Sequence, residues 1–176
     1  MSLALASQAA STLAHPADLR WLSRAFAEDE TEEASQAIAH AFRIGERWFL
    51  IPMDLPAEVS PAIMSARLPF TQPWCLGLVN FRGELVPVYD LGLLLKEGAG
   101  GGLFLILGQR DARACLPIDE ITVVTVPADL TPGSLDGLPN LPDELVCLGL
   151  TLEGRTYIEL DLGGLLGLLA QGASLL

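Results

Sequence analysis

Two histidines, three cysteines and one turn crowded with polar side chains are where chemistry could reside in these 176 residues. His15 and His40 lie in or next to an N-terminal stretch of distinct composition, so neither is expected to be held rigidly beside a nucleophile, and no Cys/His or Ser/His centre is expected. Cys75, Cys115 and Cys147 are isolated and set among apolar neighbours such as Trp74, Leu116 and Val146. They read as small core residues in a reducing compartment rather than metal ligands or redox partners. The run Gly98-Ala-Gly-Gly-Gly102 resembles a phosphate-cradling loop but lacks the Lys and the Ser or Thr that such a loop requires, so a flexible linker between two β units is expected instead. What remains is Asn80, Arg82, Gly83, Glu84 and Asp90, with Glu58 upstream. An Arg at a turn can hold a carboxylate in fixed, planar geometry where a Lys cannot. On spacing alone, an ordinary solvated turn residue is the stronger reading of Arg82. This inventory predicts neither an enzyme nor a cofactor.

Several short elements must position these residues. Runs of β-type residues are punctuated by Gly, Pro, Asn and Asp, which predicts strands at Ala39 to Ile44, Trp48 to Met53, Leu76 to Asn80, Leu85 to Tyr89 and Leu103 to Leu107. Further strands are predicted at Ala114 to Ile118, Ile121 to Val126, Val146 to Thr151 and Thr156 to Leu160. Many short strands favour an all-β fold of the barrel type. Only Asp90 to Leu95 and Gly163 to Ala170 read as helical turns in this region, each beginning at or just after an aspartate able to cap it. Residues 1–38 differ: Ala and Ser dominate, then comes the acidic run Glu28 to Glu33. Within this extension Asp18 precedes Leu19, Leu22 and Phe26, a spacing that stripes one face of a short helix. That stripe reads either as a docking face, on the domain or on a partner, or as a frayed helix that only solvates the N-terminus.

Sliding the chain against itself exposes an internal repeat. Cys75-Leu-Gly-Leu recurs as Cys147-Leu-Gly-Leu, Asp90-Leu-Gly-Leu-Leu-Leu as Asp161-Leu-Gly-Gly-Leu-Leu, and Phe49-Leu-Ile-Pro-Met-Asp54 as Ala114-Cys-Leu-Pro-Ile-Asp119. Aligned on these anchors, one copy has one residue more, and the difference is expected at the hairpin turn, Asn80 to Glu84 against Leu152 to Arg155. Matching blocks in matching order predict two similar β units in tandem. Because Gly149 repeats Gly77, a shared structural bend is expected at both.

The charge balance narrows the partners. Ten Lys and Arg against 22 Asp and Glu leave a net charge of −12, which disfavours nucleic acid and anionic membrane surfaces. Apolar residues make up 51% of the chain, yet no run approaches the roughly 20 residues that cross a bilayer. No direct membrane insertion is expected, and with no signal-like segment at the N-terminus the expected location is cytoplasmic. Surplus apolar surface points to a protein partner.

The segment Pro69 to Leu95, with Gly77-Leu-Val-Asn80-Phe-Arg82-Gly83-Glu-Leu-Val-Pro87-Val-Tyr-Asp90-Leu91, resembles the signature of the CheW-like adaptor family of bacterial chemosensory systems. The similarity extends through Phe42 to Gly45, Glu58-Val59, Leu116 to Asp119 and Ile158 to Leu162. The resemblance implies a mainly β fold of two tandem five-stranded SH3-like barrel subdomains over residues 39–169, with an N-terminal extension (1–38) and a C-terminal tail (170–176). It implies a non-catalytic coupler joining the cytoplasmic tip of a methyl-accepting chemoreceptor to the regulatory domain of a CheA-type histidine kinase, which shares the fold. Carried over by position, the receptor-binding residues are Glu58, Gly77, Asn80, Arg82 and Gly83, with Glu58 and Arg82 as an ion pair. The kinase-binding residues are not assigned beyond the second barrel, with its hairpin Leu152 to Arg155 and its strand Ile121 to Val126. Departures from the pattern are Phe81 in place of an aliphatic residue, Gly92 where Arg is frequent, and the long leader, which resembles the type IV pilus (twitching) branch. A stand-alone β module binding a small molecule between its subdomains is the alternative.

Overall fold

The computed structural model describes residues 36–127, 135 and 138–172. The helix expected from Asp18 and the acidic run Glu28 to Glu33 lie outside the described residues. Ten strands run in the order β1 (Gln36–Ile44), β2 (Arg47–Ile51), β3 (Ala57–Pro61), β4 (Cys75–Phe81), β5 (Glu84–Tyr89), β6 (Leu103–Leu107), β7 (Ala114–Ile118), β8 (Glu120–Pro127), β9 (Val146–Leu152) and β10 (Arg155–Leu160). Two helices complete them, α1 (Leu91–Leu95) after β5 and α2 (Leu162–Gly172) after β10. Each helix follows an aspartate that accepts a backbone N–H, Asp90 from Leu93 at 3.1 Å and Asp161 from Gly164 at 2.9 Å, as an N-cap should.

The strands form two five-stranded sheets, β8-β1-β2-β10-β9 and β3-β6-β7-β5-β4. In both, the third and fourth strands run parallel and the other pairs antiparallel. The second sheet is therefore built like the first, with β3, β6, β7, β5 and β4 standing where β8, β1, β2, β10 and β9 stand. Two five-stranded units are those the sequence predicts, but they are not laid end to end. The repeat in the chain spans β1 to α1 and then β6 to α2, whereas each sheet takes strands from both copies. The copies thus exchange strands reciprocally, and the chain crosses between sheets after β2 and again after β7.

Three apolar clusters explain why the two sheets hold together. One gathers Ala37, Ala39, Ala41, Trp48, Leu50, Val124, Val126, Leu150 and Tyr157, all on one side of the first sheet. Another gathers Val79, Phe81, Val86, Val88, Phe104, Ile106 and Cys115 in the second sheet. The largest lies between the sheets, with Phe42, Ile44 and Phe49 meeting Leu105, Leu107, Leu116 and Ile118, and with Leu91, Leu95, Leu162, Leu165 and Leu169 of the helices sealing it. Edge and central strands share each private cluster, so each sheet curls round its own core while its other face joins the common one. Central strands β2, β6 and β7 are accordingly buried on both faces and read as nearly unbroken apolar runs.

Two expectations change. The run Gly98 to Gly102 joins the two copies of the repeat, between α1 and β6, but it is held rather than loose: it packs closely at Gly100 and Gly101, and the Gly100 N–H is bound by Asp90. A side chain at Gly100 would meet the Pro117 carbonyl oxygen at 2.7 Å, and one at Gly92 would meet the Gly98 carbonyl oxygen at 2.1 Å. That contact accounts for Gly92, where the family pattern often has Arg. Strand β3 has no counterpart among the predicted strands. Its sequence Ala-Glu-Val-Ser-Pro lies at a sheet edge with three of its five residues exposed, so burial leaves little mark on it.

Candidate functional site

The predicted constellation divides. Asp90 is buried, and its carboxylate caps α1 and also accepts the Gly100 N–H at 3.1 Å, so its work is structural. Asn80, Arg82 and Gly83 share one hairpin. Phe81 pairs with Glu84 across the two-residue turn Arg82-Gly83, and both turn residues have positive φ, +53° and +86°. This is the twist-matched primed turn of short hairpins, and Gly supplies the second position without strain. The Asn80 side-chain oxygen accepts the Gly83 N–H at 3.0 Å, which fixes the turn.

Glu58 reaches this hairpin from the far side of the sheet. It sits on edge strand β3, while Arg82 follows the opposite edge strand β4 in the turn, and Arg82 Nη2 donates to Glu58 Oε1 at 2.5 Å. The pair therefore spans the gap between the two edges of the curled sheet. Its partners are partly solvated, with side-chain exposures of 66% for Arg82 and 41% for Glu58. Exposed pairs of this kind contribute about 1 kcal/mol or less to folding. Their value lies in presenting a cation and an anion in fixed register at a rim, which is what orients a partner.

Two side chains that spacing could not assign complete the arrangement. Arg113, just before β7, donates to Glu84 at 2.6 Å. Its guanidinium lies 5.8 Å from the centroid of the Phe81 ring, and that of Arg82 lies 5.2 Å from it. Phe81 is nearly buried, so the aromatic residue that departs from the family pattern is a platform for two cations. Arg113 is 29 positions from Glu84 in the chain and meets it only because β5 and β7 are neighbours. No local signal could have found it.

Gly77 belongs to this site as support. Its φ is +114°, and a side chain there would come within 2.0 Å of the Ala66 carbonyl oxygen. Ala66 and Leu78 exchange backbone hydrogen bonds of 2.7 and 2.9 Å, which lays the segment after β3 against the outer edge of β4. Gly149 has a different reason: it lacks the positive φ, and a side chain there would meet Leu135 at 2.7 Å. The shared bend expected at both glycines is therefore not what the structure has.

Burial pushes the Cys115 thiol up to about 12, so it stays protonated and inert. Burial also raises Tyr89, with Cys75 adding to the effect. Among the described residues no group of three or more His, Cys, Asp and Glu is placed to hold a metal ion, and no helix is long and apolar enough to cross a membrane.

Residues 39–170 match the model of the CheW-like domain. Protein PilI of Pseudomonas aeruginosa is 33% identical over 84 residues, covering 46% of this chain and 47% of that protein. The chemotaxis protein CheW of Helicobacter pylori is 29% identical over 99 residues, covering 54% and 59%. The chain thus spans about half the length of the curated relatives it matches. Among solved structures, the scaffolding protein TtCheW of Thermoanaerobacter tengcongensis superposes with a TM-score of 0.60 at 19% identity, over 76% of this chain and 90% of that one.

Proposed function

Because this chain belongs to the CheW-like domain family, we propose that it is a non-catalytic cytoplasmic adaptor that couples the tip of a methyl-accepting chemoreceptor to the regulatory domain of a CheA-type histidine kinase. The output is chemotaxis or, given the similarity to PilI, type IV pilus motility. The observation that carries the reading is the Glu58–Arg82 pair bridging the edges of the second sheet at a hairpin fixed by Asn80. Glu58, Gly77, Asn80, Arg82 and Gly83 form the receptor-facing site in this reading. Arg82 and Glu58 supply register, and Gly77 and Gly83 supply backbone shapes that no other residue adopts without strain. The kinase meets the other sheet, whose edges β8 and β9 leave a groove of about 650 Å3 between them.

Retention on immobilised receptor-tip and kinase regulatory-domain fragments tests the proposal. Both fragments should hold the full chain. Retention by neither, together with a metabolite-dependent rise in melting temperature, would replace the adaptor with a ligand-binding module.

A further inference from the structure

Arg82 is a long side chain at a solvent-facing turn, and an exposed ion pair does not hold such a side chain by itself, because water and rotamer entropy compete with it. The residue before it supplies the missing hold. In an extended strand, neighbours 81 and 82 point to opposite faces. The positive φ of Arg82 ends that alternation at the turn, and its guanidinium carbon comes back to 5.2 Å from the centroid of the Phe81 ring, within the roughly 6 Å over which a ring face attracts a cation. The ring is itself fixed: it is buried in the private cluster of the second sheet with Val79, Val86 and Val88.

Arg113 stands by the same ring, 5.8 Å from its centroid. Two cations can share one ring because each has its own carboxylate, Glu58 for Arg82 and Glu84 for Arg113. Glu84 is the cross-strand partner of Phe81, so the second ion pair is anchored beside the ring. The Arg113 side chain is 24% exposed against 66% for Arg82, which leaves Arg82 as the cation offered to solvent.

The fold is satisfied without the aromatic. Counted from the two turns, Leu152 stands in the first sheet where Phe81 stands in the second, and it packs against that sheet's private cluster in the same way. By the parallel pairings, Trp48 stands where Arg113 does and Arg155 where Glu84 does, and these two make a cation–π contact of 4.8 Å in place of the ion pair. A leucine therefore suffices for the core, and an aliphatic residue is also what the family pattern has. Of the two matching hairpins, the one with a cation at the turn is the one that carries the ring.

We propose that Phe81 is a positioning residue for Arg82: its buried ring, flanked by Arg113, holds the guanidinium beside Glu58 and open to solvent, so that a partner's carboxylate meets a cation already set in place. The effect on a partner rests on the adaptor reading, in which that carboxylate belongs to the receptor tip; the placement of Arg82 does not.

Arginine side-chain NMR of the full chain tests the placement. Shielding by the ring should move the Arg82 Nε–H resonance upfield of the free-arginine position, and Phe81→Leu should return it there with the melting transition kept. Phe81→Met serves if the leucine variant does not fold. A resonance at the free position in the wild type, or one that neither folded variant moves, overturns the proposal. Receptor-tip affinity gives a second readout: Arg82→Ala should weaken the wild type about tenfold but Phe81→Leu less than about threefold, because an arginine that is not held has less to lose. Equal factors in the two backgrounds overturn the positioning role. A wild type that the receptor tip does not retain overturns the adaptor reading alone, and the resonance then decides the placement.

Discussion

The two sheets carry the same hairpin with opposite charges. In the second sheet the turn between β4 and β5 is Arg82-Gly83; at the matching place in the first, between β9 and β10, it is Glu153-Gly154, with φ of +50° and +77°. Both are two-residue primed turns, so backbone demands explain the Gly in each but not the residue before it. At Arg82 the side chain closes on Glu58 of the opposite edge strand. At Glu153 the corresponding gap, between β9 and β8, stays open as a groove lined by Thr122, Val123, Thr151 and Leu152. A repeated backbone has thus been given two different rims, one fixed by a charge pair and one left as unpaired strand edges. The difference teaches that each sheet has its own surface to offer, as the proposed coupling of two partners would require.

The largest expected effect tests whether the two copies differ in backbone as well as in charge. Gly77→Ala puts a Cβ at a positive φ and 2.0 Å from a backbone oxygen, neither of which a side-chain rotation relieves. A loss on the order of 3 kcal/mol or more in denaturant unfolding is expected. Gly149→Ala meets only the Leu135 side chain, which can move, and should cost about 1 kcal/mol. Equal losses would restore the shared bend that the repeat suggests.

Next in size is partner selectivity. Arg82→Glu should lower receptor-tip affinity at least tenfold, or about 1.4 kcal/mol, with the melting transition kept, while Glu153→Arg leaves it unchanged. Val123→Asp, on edge strand β8 and 60% exposed, should instead weaken the kinase fragment by about 1 kcal/mol or more and spare the receptor tip. If folded variants of both rims lose both partners together, the sheets do not divide the work.

Much of this contrast was legible in the residues, and the exceptions have physical causes. Strands with apolar runs or alternation, such as Leu103–Leu107 and Ala114–Ile118, fall where composition puts them. Edge strand β3 left no burial signature, yet it carries Glu58. The Cys-Leu-Gly-Leu repeat misled in register. Counted from the turns, Val79 matches Leu150 and Asn80 matches Thr151, so Gly77 stands opposite Leu148 rather than Gly149. Both hairpin turns have two residues and both β4 and β9 have seven, so counted from the turns neither copy has an extra residue; the one expected came from aligning on Cys-Leu-Gly-Leu. Each strand pair carries a bulge at the matching place, with Leu76 and Cys147 as the bulged residues. A one-residue slip exchanges the faces of a strand, and chance identity in a Leu- and Gly-rich chain is enough to hide it. The reciprocal exchange of strands was hidden for another reason: pairing between distant segments leaves no mark on either one alone.

The smallest effect concerns the cores under the two rims. By the repeat, Cys115 of β7 holds the place of Leu50 in β2, and both are fully buried, one in each private cluster. The second sheet therefore carries a titratable group where the first has a hydrocarbon. Burial raises the thiol from 9.0 to about 12, so between those values the unfolded chain releases a proton that the folded chain keeps. Fewer protons bound in the unfolded state means that stability falls as pH rises through this window and is unaffected below it. One pH unit into the window the loss is about 1.4 kcal/mol. Unfolding free energies measured between pH 8 and 10.5 should decline in the wild type and decline less steeply in Cys115→Ala, whose cavity lowers stability equally at every pH. Tyr89, raised in the same direction, leaves a residual slope in both. Parallel slopes for the two proteins would show that the thiol is hydrated in the folded state, and that the private core of the second sheet is less sealed than that of the first.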